Sequence, residues 1–220
     1  FDPELKETTF RWRVYNLKEK KVIRSISNTE YTLSYKPEFK PKLERKQQDL
    51  YNLVKKQYSE LRFCIWNTKW LQEFMLHLPG KSFTLLEVEK PSLESVFFYL
   101  KDEKVSNLFL QPEEKELNLY ISESNSPIIL KTLISKGPII KVGKAVIPTL
   151  EKILVDLYAD DSIFEAFQGR ELSIIYNNAF NNYSINFTRL FSYAKRRGKE
   201  TSLMDFIHTK TDIPKSILND

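Results

Sequence analysis

The sequence predicts an α+β protein, and two features of its hydrophobic pattern support this prediction. In the middle of the chain, short apolar segments such as LRFCIWN and PIIKV have the length and composition of buried strands, and helical segments lie between them. From Ile147 onward, apolar residues recur at helical spacing, with breaks near Asp160, Gly169 and Asn182. Hydrophobic residues make up 41% of the 220 residues, which is enough for a substantial core.

The N-terminal segment is predicted to begin with a helix. Phe10, Val14 and Leu17 lie at positions i, i+4 and i+7, so they form one apolar stripe. Thr8 or Thr9 is the expected N-cap, because a threonine oxygen accepts a hydrogen bond from the first turn. Trp12 is expected to pack into the core beside Leu17, and the alternative is that it faces a binding partner.

A two-stranded ribbon is predicted to follow this helix. Apolar and polar residues alternate from Val22 onward, and Asn28 tolerates the left-handed backbone of a tight turn. A helix followed by a hairpin is the order of the recognition helix and wing in a winged helix-turn-helix. We therefore assign residues 1–36 to the C-terminal part of a winged-helix DNA-binding domain and expect its first helices to precede Phe1.

Residues 37–46 contain two prolines and are predicted to be a linker, so residues 47–220 form a mixed α/β domain that ends in helices. Helices are expected over about residues 43–59, in TKWLQEFMLHL and from Pro91 onward. The predicted strands are LRFCIWN, SFTLLEVEK, VSNLFLQ, ELNLYIS, PIILKTL and PIIKV.

Positive charge is concentrated near the N-terminus. Residues 1–62 contain 15 Lys and Arg against 9 Asp and Glu, whereas the rest of the chain is close to neutral. Such an asymmetry favours a polyanionic partner for the N-terminal part, although a solvated basic face is equally compatible with charge alone. Arginine pairs with guanine edges, and Lys and Thr contact phosphates. The candidate DNA contacts are Thr8, Thr9, Arg11, Arg13, Lys18, Arg24 and Tyr31.

A second basic cluster lies in RLFSYAKRRGKE, near the C-terminus. Its members, as a possible secondary basic patch, are Arg189, Lys195, Arg196 and Arg197. They would touch phosphates beyond the wing. The competing interpretation is that cations collect at the end of a helix that stops at Gly198, where the helix dipole favours them.

Two blocks of the sequence resemble AbiEi-type antitoxins, the transcriptional regulators of type IV abortive-infection toxin–antitoxin pairs of bacteria. TTFRWRVYNLKEKKVIRSISNTEYTLS resembles their recognition helix and wing, and VIPTLEKILVDLY resembles a segment in which a strand ends and a helix opens. The second pattern is filled by Pro148, Thr149, Glu151, Lys152, Leu154 and Asp156. The segment CIWNTKWLQEFMLHLPG departs from the usual AbiEi pattern, which indicates a divergent member.

This resemblance implies a DNA-binding autorepressor that uses its wing domain on operator repeats of its own operon. It also implies that the protein counteracts a nucleotidyltransferase-like toxin, as a functional partner that need not form a stable complex with it. The expected partner is double-stranded DNA, and the expected location is the cytoplasm. The sequence does not determine the oligomeric state.

Two alternatives remain open at this stage. Glu87 and Glu89, at the end of a predicted strand, are similar to the acidic cluster of metal-dependent nucleases, but the spacing to Lys90 is unsuitable and the competing interpretation is a solvated strand end. The other alternative is a non-catalytic protein-interaction module.

The remaining residues with distinctive chemistry favour no catalytic or metal site. Cys64 lies alone in an apolar run and is expected to be a buried small hydrophobe. His77 and His208 lack metal-ligand spacing, and no phosphate-binding glycine loop is present. We therefore expect no catalytic residues, no metal and no cofactor.

Overall fold

The structure is a computed structural model that describes residues 5–20, 22–25, 31–33, 36–113, 116 and 124–215, except for the side chain of Arg24. Its helices are α1 (Glu7–Glu19), α2 (Arg45–Gln57), α3 (Leu93–Asp102), α4 (Leu150–Ala159), α5 (Arg170–Asn182), α6 (Phe187–Arg196) and α7 (Glu200–Lys210). Its strands are β1 (Arg24–Ser25), β2 (Tyr31–Thr32), β3 (Phe63–Asn67), β4 (Thr84–Val88), β5 (Leu108–Leu110), β6 (Ile128–Thr132), β7 (Ile139–Val142) and β8 (Ala145–Pro148). The predicted α+β class is confirmed.

A four-stranded mixed sheet organises the middle of the chain. Its strand order is β3-β4-β6-β5, with β3 antiparallel to β4 and the other neighbours parallel. Every residue of β3 and β4 is buried, because both faces of the sheet are covered. Helices α2 and α3 pack on the face that carries Ile65 and Leu86, and the C-terminal helices pack on the face that carries Trp66 and Leu85.

The chain from Leu150 to Lys210, called the helical half below, consists mainly of helices, as predicted. The β7–β8 hairpin leads directly into α4, where the Thr149 hydroxyl accepts a hydrogen bond from the Lys152 amide at 3.4 Å and caps the helix. The Tyr176 hydroxyl of α5 donates to the carbonyl of Leu154 at 2.8 Å. Eight of the ten residues of α4 are buried, so α4 is the central helix of this half.

The predicted linker packs against the helical half and is hydrogen-bonded to it. Phe39 is buried, and its ring lies against the rings of Phe74 and Tyr183, with centroids 5.6 and 5.1 Å away. The Ser184 amide donates to the carbonyl of Pro37 at 2.9 Å. Helix α2 begins at Arg45, inside the predicted linker range, and the domain boundaries stay a prediction.

One predicted helix has a different geometry, and one predicted strand lies largely outside the described residues. The segment predicted as a helix after β3 is a 3₁₀ helix, Thr68–Phe74. Reciprocal hydrogen bonds between Thr68 and Phe83 tie its first residue to the chain that enters β4. The predicted strand ELNLYIS lies outside the described residues except for Glu116.

Glu171, in the first turn of α5, anchors the loop after the 3₁₀ helix. Its carboxylate accepts hydrogen bonds from the amides of Leu76 (2.6 Å) and His77 (3.3 Å), and His77 Nδ1 lies 3.1 Å from its other oxygen. Burial alone would raise the pKa of Glu171, but these hydrogen bonds lower it below the usual range. The hydrogen bonds of this anchor therefore favour the ionised carboxylate.

Glu171→Ala is expected to lower the free energy of unfolding by about 1–2 kcal/mol near neutral pH, because a charged hydrogen-bond acceptor is lost. Since the folded-state pKa is depressed, the contribution is present above the unfolded pKa of about 4.3 and disappears as the pH falls through the lower folded value. Urea unfolding of the two proteins at neutral and acidic pH measures this difference. Glu165→Ala, which removes an exposed glutamate, is the control. If Glu171→Ala lowered the free energy of unfolding equally at both pH values, the result would contradict a role for the ionised carboxylate.

Candidate nucleic-acid interface

Helix α1 has no buried face. None of its residues is buried, and Phe10 and Leu17, predicted to face the core, are 46% and 38% exposed. Trp12 is 65% exposed, so the expectation that it packs into the core is wrong. The reason is that no described element covers α1 closely enough to bury its apolar stripe.

The start of α1 also differs from the prediction. The N-cap position is Lys6, no side chain caps the helix, and the Phe10 amide already donates to the Lys6 carbonyl at 3.0 Å. Thr8 and Thr9 therefore lie inside the first turn, and the prediction that one of them is the N-cap is wrong. Their hydroxyls do not cap α1, and Thr8 is exposed whereas Thr9 is half-buried.

The side chains of α1 form an aromatic face with a cationic flank on each side. Successive residues of an α-helix are turned by about 100°, so Thr8, Trp12 and Tyr15 point in similar directions. Tyr15 is 61% exposed, which is similar to the exposure of Trp12 on the same face. One flank carries Arg11 and Lys18, and the other carries Thr9 and Arg13; all three cations are exposed.

The cations of α1 are not neutralised strongly. Arg11 forms an ion pair with Glu7, one turn earlier in the same helix, and the side chains are 76% and 74% exposed. Such a surface pair contributes roughly 0–1 kcal/mol, so a phosphate or base edge can displace it at little cost.

A short antiparallel ribbon lies beside α1. Strands β1 and β2 pair Arg24 with Thr32 and Ser25 with Tyr31, which agrees with the predicted hairpin. The ammonium of Lys18 lies 4.9 Å from the centre of the Tyr31 ring, so a cation–π contact joins the helix to the ribbon. The Arg24 side chain and the predicted turn at Asn28 lie outside the described residues.

An open cleft of about 730 Å³ separates α1 from the helical half. Lys18 lines one side, and Arg189, of the predicted secondary patch, lines another. Lys40 and Lys141 also contribute to the lining, together with the carboxylates of Glu19 and Glu38 and the buried carboxylate of Glu151. The cleft thus brings the first and second predicted basic regions to one surface of the molecule.

The secondary patch is smaller than predicted. Lys195 and Arg196 are exposed at the end of α6, and Gly198 has a positive φ of 65°, typical of the glycine that ends a helix. Arg197, however, points inward and is 12% exposed, because it binds Asp156 and Asp160. Its assignment to a DNA-binding patch is wrong.

Six charged residues form a buried ionic network between the sheet and the helical half. Lys152 of α4 is fully buried, and its ammonium donates to both carboxylate oxygens of Glu87 (2.8 and 2.6 Å) and to Asp156 (2.6 Å). Asp156 also accepts from Arg197 at 2.8 Å. The members are Glu87, Lys131, Lys152, Asp156, Asp160 and Arg197. The three acids and three bases balance in charge.

Neutral donors complete the network. The Trp66 indole donates to Glu87 at 3.1 Å, and the Tyr193 hydroxyl donates to Asp156 at 2.8 Å. Burial, and then the charge of Asp156, raises the pKa of Tyr193, so the hydroxyl keeps its proton. Burial alone would lower the pKa of Lys152, but the Asp156 and Glu87 carboxylates outweigh it and hold that pKa well above its usual range. Lys152 is therefore charged in the folded protein.

This network explains the environment of Glu87 and Glu89. The interpretation of Glu87 as part of a solvated strand end is wrong, because its carboxylate is 1% exposed and already bound by Lys152. Glu89 follows the end of β4 and is half-buried. A metal-dependent nuclease site would need the Glu87 oxygens for a cation, and here both oxygens are bound by the Lys152 ammonium.

Cys64, a further residue with distinctive chemistry, lies in the protein interior. Cys64 is buried, as predicted, and burial followed by the nearby charge of Glu87 raises the pKa of its thiol well above the usual value. Within the part of the chain that the structure describes, no group of three or more His, Cys, Asp or Glu is placed to hold a metal ion. None of the described helices is long and apolar enough to cross a membrane.

The buried network was not predicted, although the sequence contains a signal for it. Glu87 lies within the strand TLLEV, and Lys152 and Asp156 are spaced i, i+4 in a helix whose other residues are mostly apolar. Charged residues in such segments need a partner of opposite charge in the interior.

Comparison with known proteins assigns the chain to a family. Neither the curated proteins nor the solved structures contain a match to it. Residues 9–213 match a family described as a family of unknown function, DUF6577. The match covers α1 from Thr9 onward, the sheet and all four C-terminal helices, and the chain therefore belongs to the DUF6577 family.

Proposed function

We propose that this chain is a DNA-binding transcriptional regulator that uses α1 and the β1–β2 ribbon to bind double-stranded DNA. The observation that carries the proposal is the exposed surface of α1, with Trp12 and Tyr15 between the cationic side chains of Arg11, Lys18 and Arg13. Cations on both flanks of one helix suit a DNA groove, which has a phosphate backbone on either side.

The position of the ribbon supports the same mode of binding. In a winged helix-turn-helix the wing lies beside the recognition helix and contacts the adjacent backbone or minor groove. Here the contact of Lys18 with Tyr31 places the ribbon directly beside α1. Tyr31 is half-buried, so its exposed edge remains available to the sugar–phosphate backbone.

The cleft beside α1 offers a continuation of this surface. Lys18 and Arg189 line the same opening, and Lys195 and Arg196 lie further along α6. Arg189 pairs with Glu151 at 3.5 Å but is 49% exposed, so its guanidinium can also reach a phosphate. Duplex bound on α1 would thus extend toward the exposed cations of the helical half.

We further propose, from the resemblance to AbiEi-type antitoxins, that the protein represses its own operon and counteracts a nucleotidyltransferase-like toxin. In this proposal the protein is not an enzyme, acts in the bacterial cytoplasm and needs no cofactor. A reporter driven by the upstream region of its own operon tests repression. Growth rescue of cells that express a neighbouring nucleotidyltransferase tests the antitoxin role.

Arg11→Ala is expected to weaken duplex binding by about 1–3 kcal/mol if Arg11 reads a base edge. If Arg11 binds only phosphate, the slope of the logarithm of affinity against the logarithm of salt concentration is expected to fall by about one in magnitude instead. Fluorescence anisotropy with a labelled duplex from the upstream region, titrated at several salt concentrations, measures both quantities.

The matched control is Arg170→Ala, which removes the same charge from an exposed position at the start of α5. It is expected to bind duplex like the wild type. Equal affinities and salt dependences for the two variants would remove Arg11 from the interface. No binding by the wild type even at low salt would instead favour a protein-interaction module.

A further inference from the structure

A second cavity, of about 400 Å³, lies at one end of the four-stranded sheet, beside the last residue of β3 and the first residues of β4 and β6. The first turn of α2, the residues after β3 and the loop before β4 form its walls. Three lysines line it, namely Lys46, Lys69 and Lys81, against the single carboxylate of Glu44. Lys69 binds that carboxylate at 2.7 Å, so the charge of the other two lysines is not balanced within the cavity lining.

Gln47 is a buried polar residue in the wall of this cavity. It is 9% exposed, and its carboxamide forms no hydrogen bond with any residue that the structure describes. Its polar atoms are not sealed inside the protein, since no enclosed side-chain nitrogen or oxygen of a described residue lacks a partner. A buried amide without a protein partner is uncommon, and Gln47 contributes to the lining of this cavity, where a ligand could supply one.

The first turn of α2 adds backbone donors on the same side. Glu44 occupies the N-cap position but makes no side-chain capping bond, and the first turn contains no acidic residue. The amides of Arg45, Lys46 and Gln47 have no acceptor among the residues of known position. The free amides and the dipole of a 13-residue helix favour an anion at this end.

We propose that this cavity binds a phosphate group, either as the free ion or as the phosphate of a small molecule. Gln47 donates its carboxamide N–H, the first amides of α2 provide further donors, and Lys46 and Lys81 supply charge. Leu50 and Pro79 form apolar wall beside them, suited to the organic part of a small phosphate ester. The proposal concerns a surface separate from α1 and does not rest on DNA binding.

Backbone NMR of the full chain tests this site. The ¹⁵N-labelled protein is titrated with inorganic phosphate and, separately, with adenosine monophosphate, and sodium chloride of matched ionic strength is the reference. Saturable shifts of the Lys46 and Gln47 amides are expected with phosphate and not with chloride. Tighter binding of the nucleotide identifies a phosphorylated small molecule as the ligand, and equal or weaker binding identifies the free ion.

Gln47→Leu keeps the size of the side chain and removes its hydrogen bonds, so it is expected to weaken phosphate binding by about tenfold. Lys81→Ala is expected to weaken it similarly. The control is Lys56→Ala, an exposed lysine at the opposite end of α2, which should bind like the wild type. Absence of saturable shifts, equal shifts with chloride, or wild-type affinity in Gln47→Leu would each overturn the proposal. Gln47→Leu leaves the α1 surface intact, so a failure here is distinguishable from a failure of DNA binding.

Discussion

Lys152→Ala is expected to lower the free energy of unfolding by about 3–5 kcal/mol, because it breaks a buried charge pair and leaves the Glu87 carboxylate without a cationic partner among the described residues. Glu87 would keep only the Trp66 indole as a side-chain donor, and the cavity would hold two carboxylates close together. Urea-induced unfolding, followed by circular dichroism, measures the difference from the wild type.

Two further proteins separate the ionic effect from a general loss of packing. Lys56→Ala removes an exposed lysine and is expected to change stability by less than about 0.5 kcal/mol. The double variant Glu87→Gln/Lys152→Met replaces the pair with neutral side chains of similar size and should recover most of the loss. If the Lys152→Ala protein were as stable as the Lys56→Ala protein, the ionic network would not stabilise the packing of the helical half against the sheet.

Asp156→Ala is expected to have an effect of similar size, about 3–5 kcal/mol, since Asp156 accepts from three donors. Lys152 would keep its ion pair with Glu87, and Arg197 would keep its ion pair with Asp160. The Tyr193 hydroxyl, however, would lose its hydrogen-bond acceptor in the interior. Thermal unfolding followed by circular dichroism measures the loss.

Tyr193→Phe provides the graded comparison for Asp156→Ala. It removes one donor and leaves both cations in place, so a loss of about 1 kcal/mol is expected. If Asp156→Ala cost no more than Tyr193→Phe, the two cations would not depend on Asp156.

Local pattern predicted much of the fold. Apolar spacing located α2, α3 and the four C-terminal helices, and short apolar runs located β3, β4 and β6. The start of α4 was also predictable, because Thr149 directly precedes its amphipathic stretch. These elements are determined by hydrogen bonds and burial within a few residues of sequence, which is the range that periodicity reports.

Long-range pairing was not predictable from such patterns. Glu87 and Lys152 are 65 residues apart, and nothing local indicates that the two side chains meet. The same limit applies to Arg197, whose neighbours Lys195 and Arg196 are exposed while it turns inward to Asp156. In each case the charged side chains meet because the tertiary structure brings distant elements together.

The candidate interface was predicted in part. The cations of α1 follow from composition and helical spacing, and the ribbon follows from alternation around a turn residue. The exposure of Trp12 did not follow, because it depends on which elements cover α1. The cleft shared by Lys18 and Arg189 required the tertiary structure, since the two residues lie at opposite ends of the chain.

Trp12 provides the most direct test of DNA binding by α1. The chain has three tryptophans, of which Trp66 is fully buried and Trp70 is half-buried, so neutral acrylamide should quench mainly Trp12. Saturating duplex is expected to reduce the acrylamide quenching of the wild type. The quenching of the Trp12→Phe variant is expected to stay unchanged when duplex is added. If anisotropy shows bound duplex while Trp12 stays as accessible to acrylamide as in the free protein, the DNA lies elsewhere and α1 is not its binding surface.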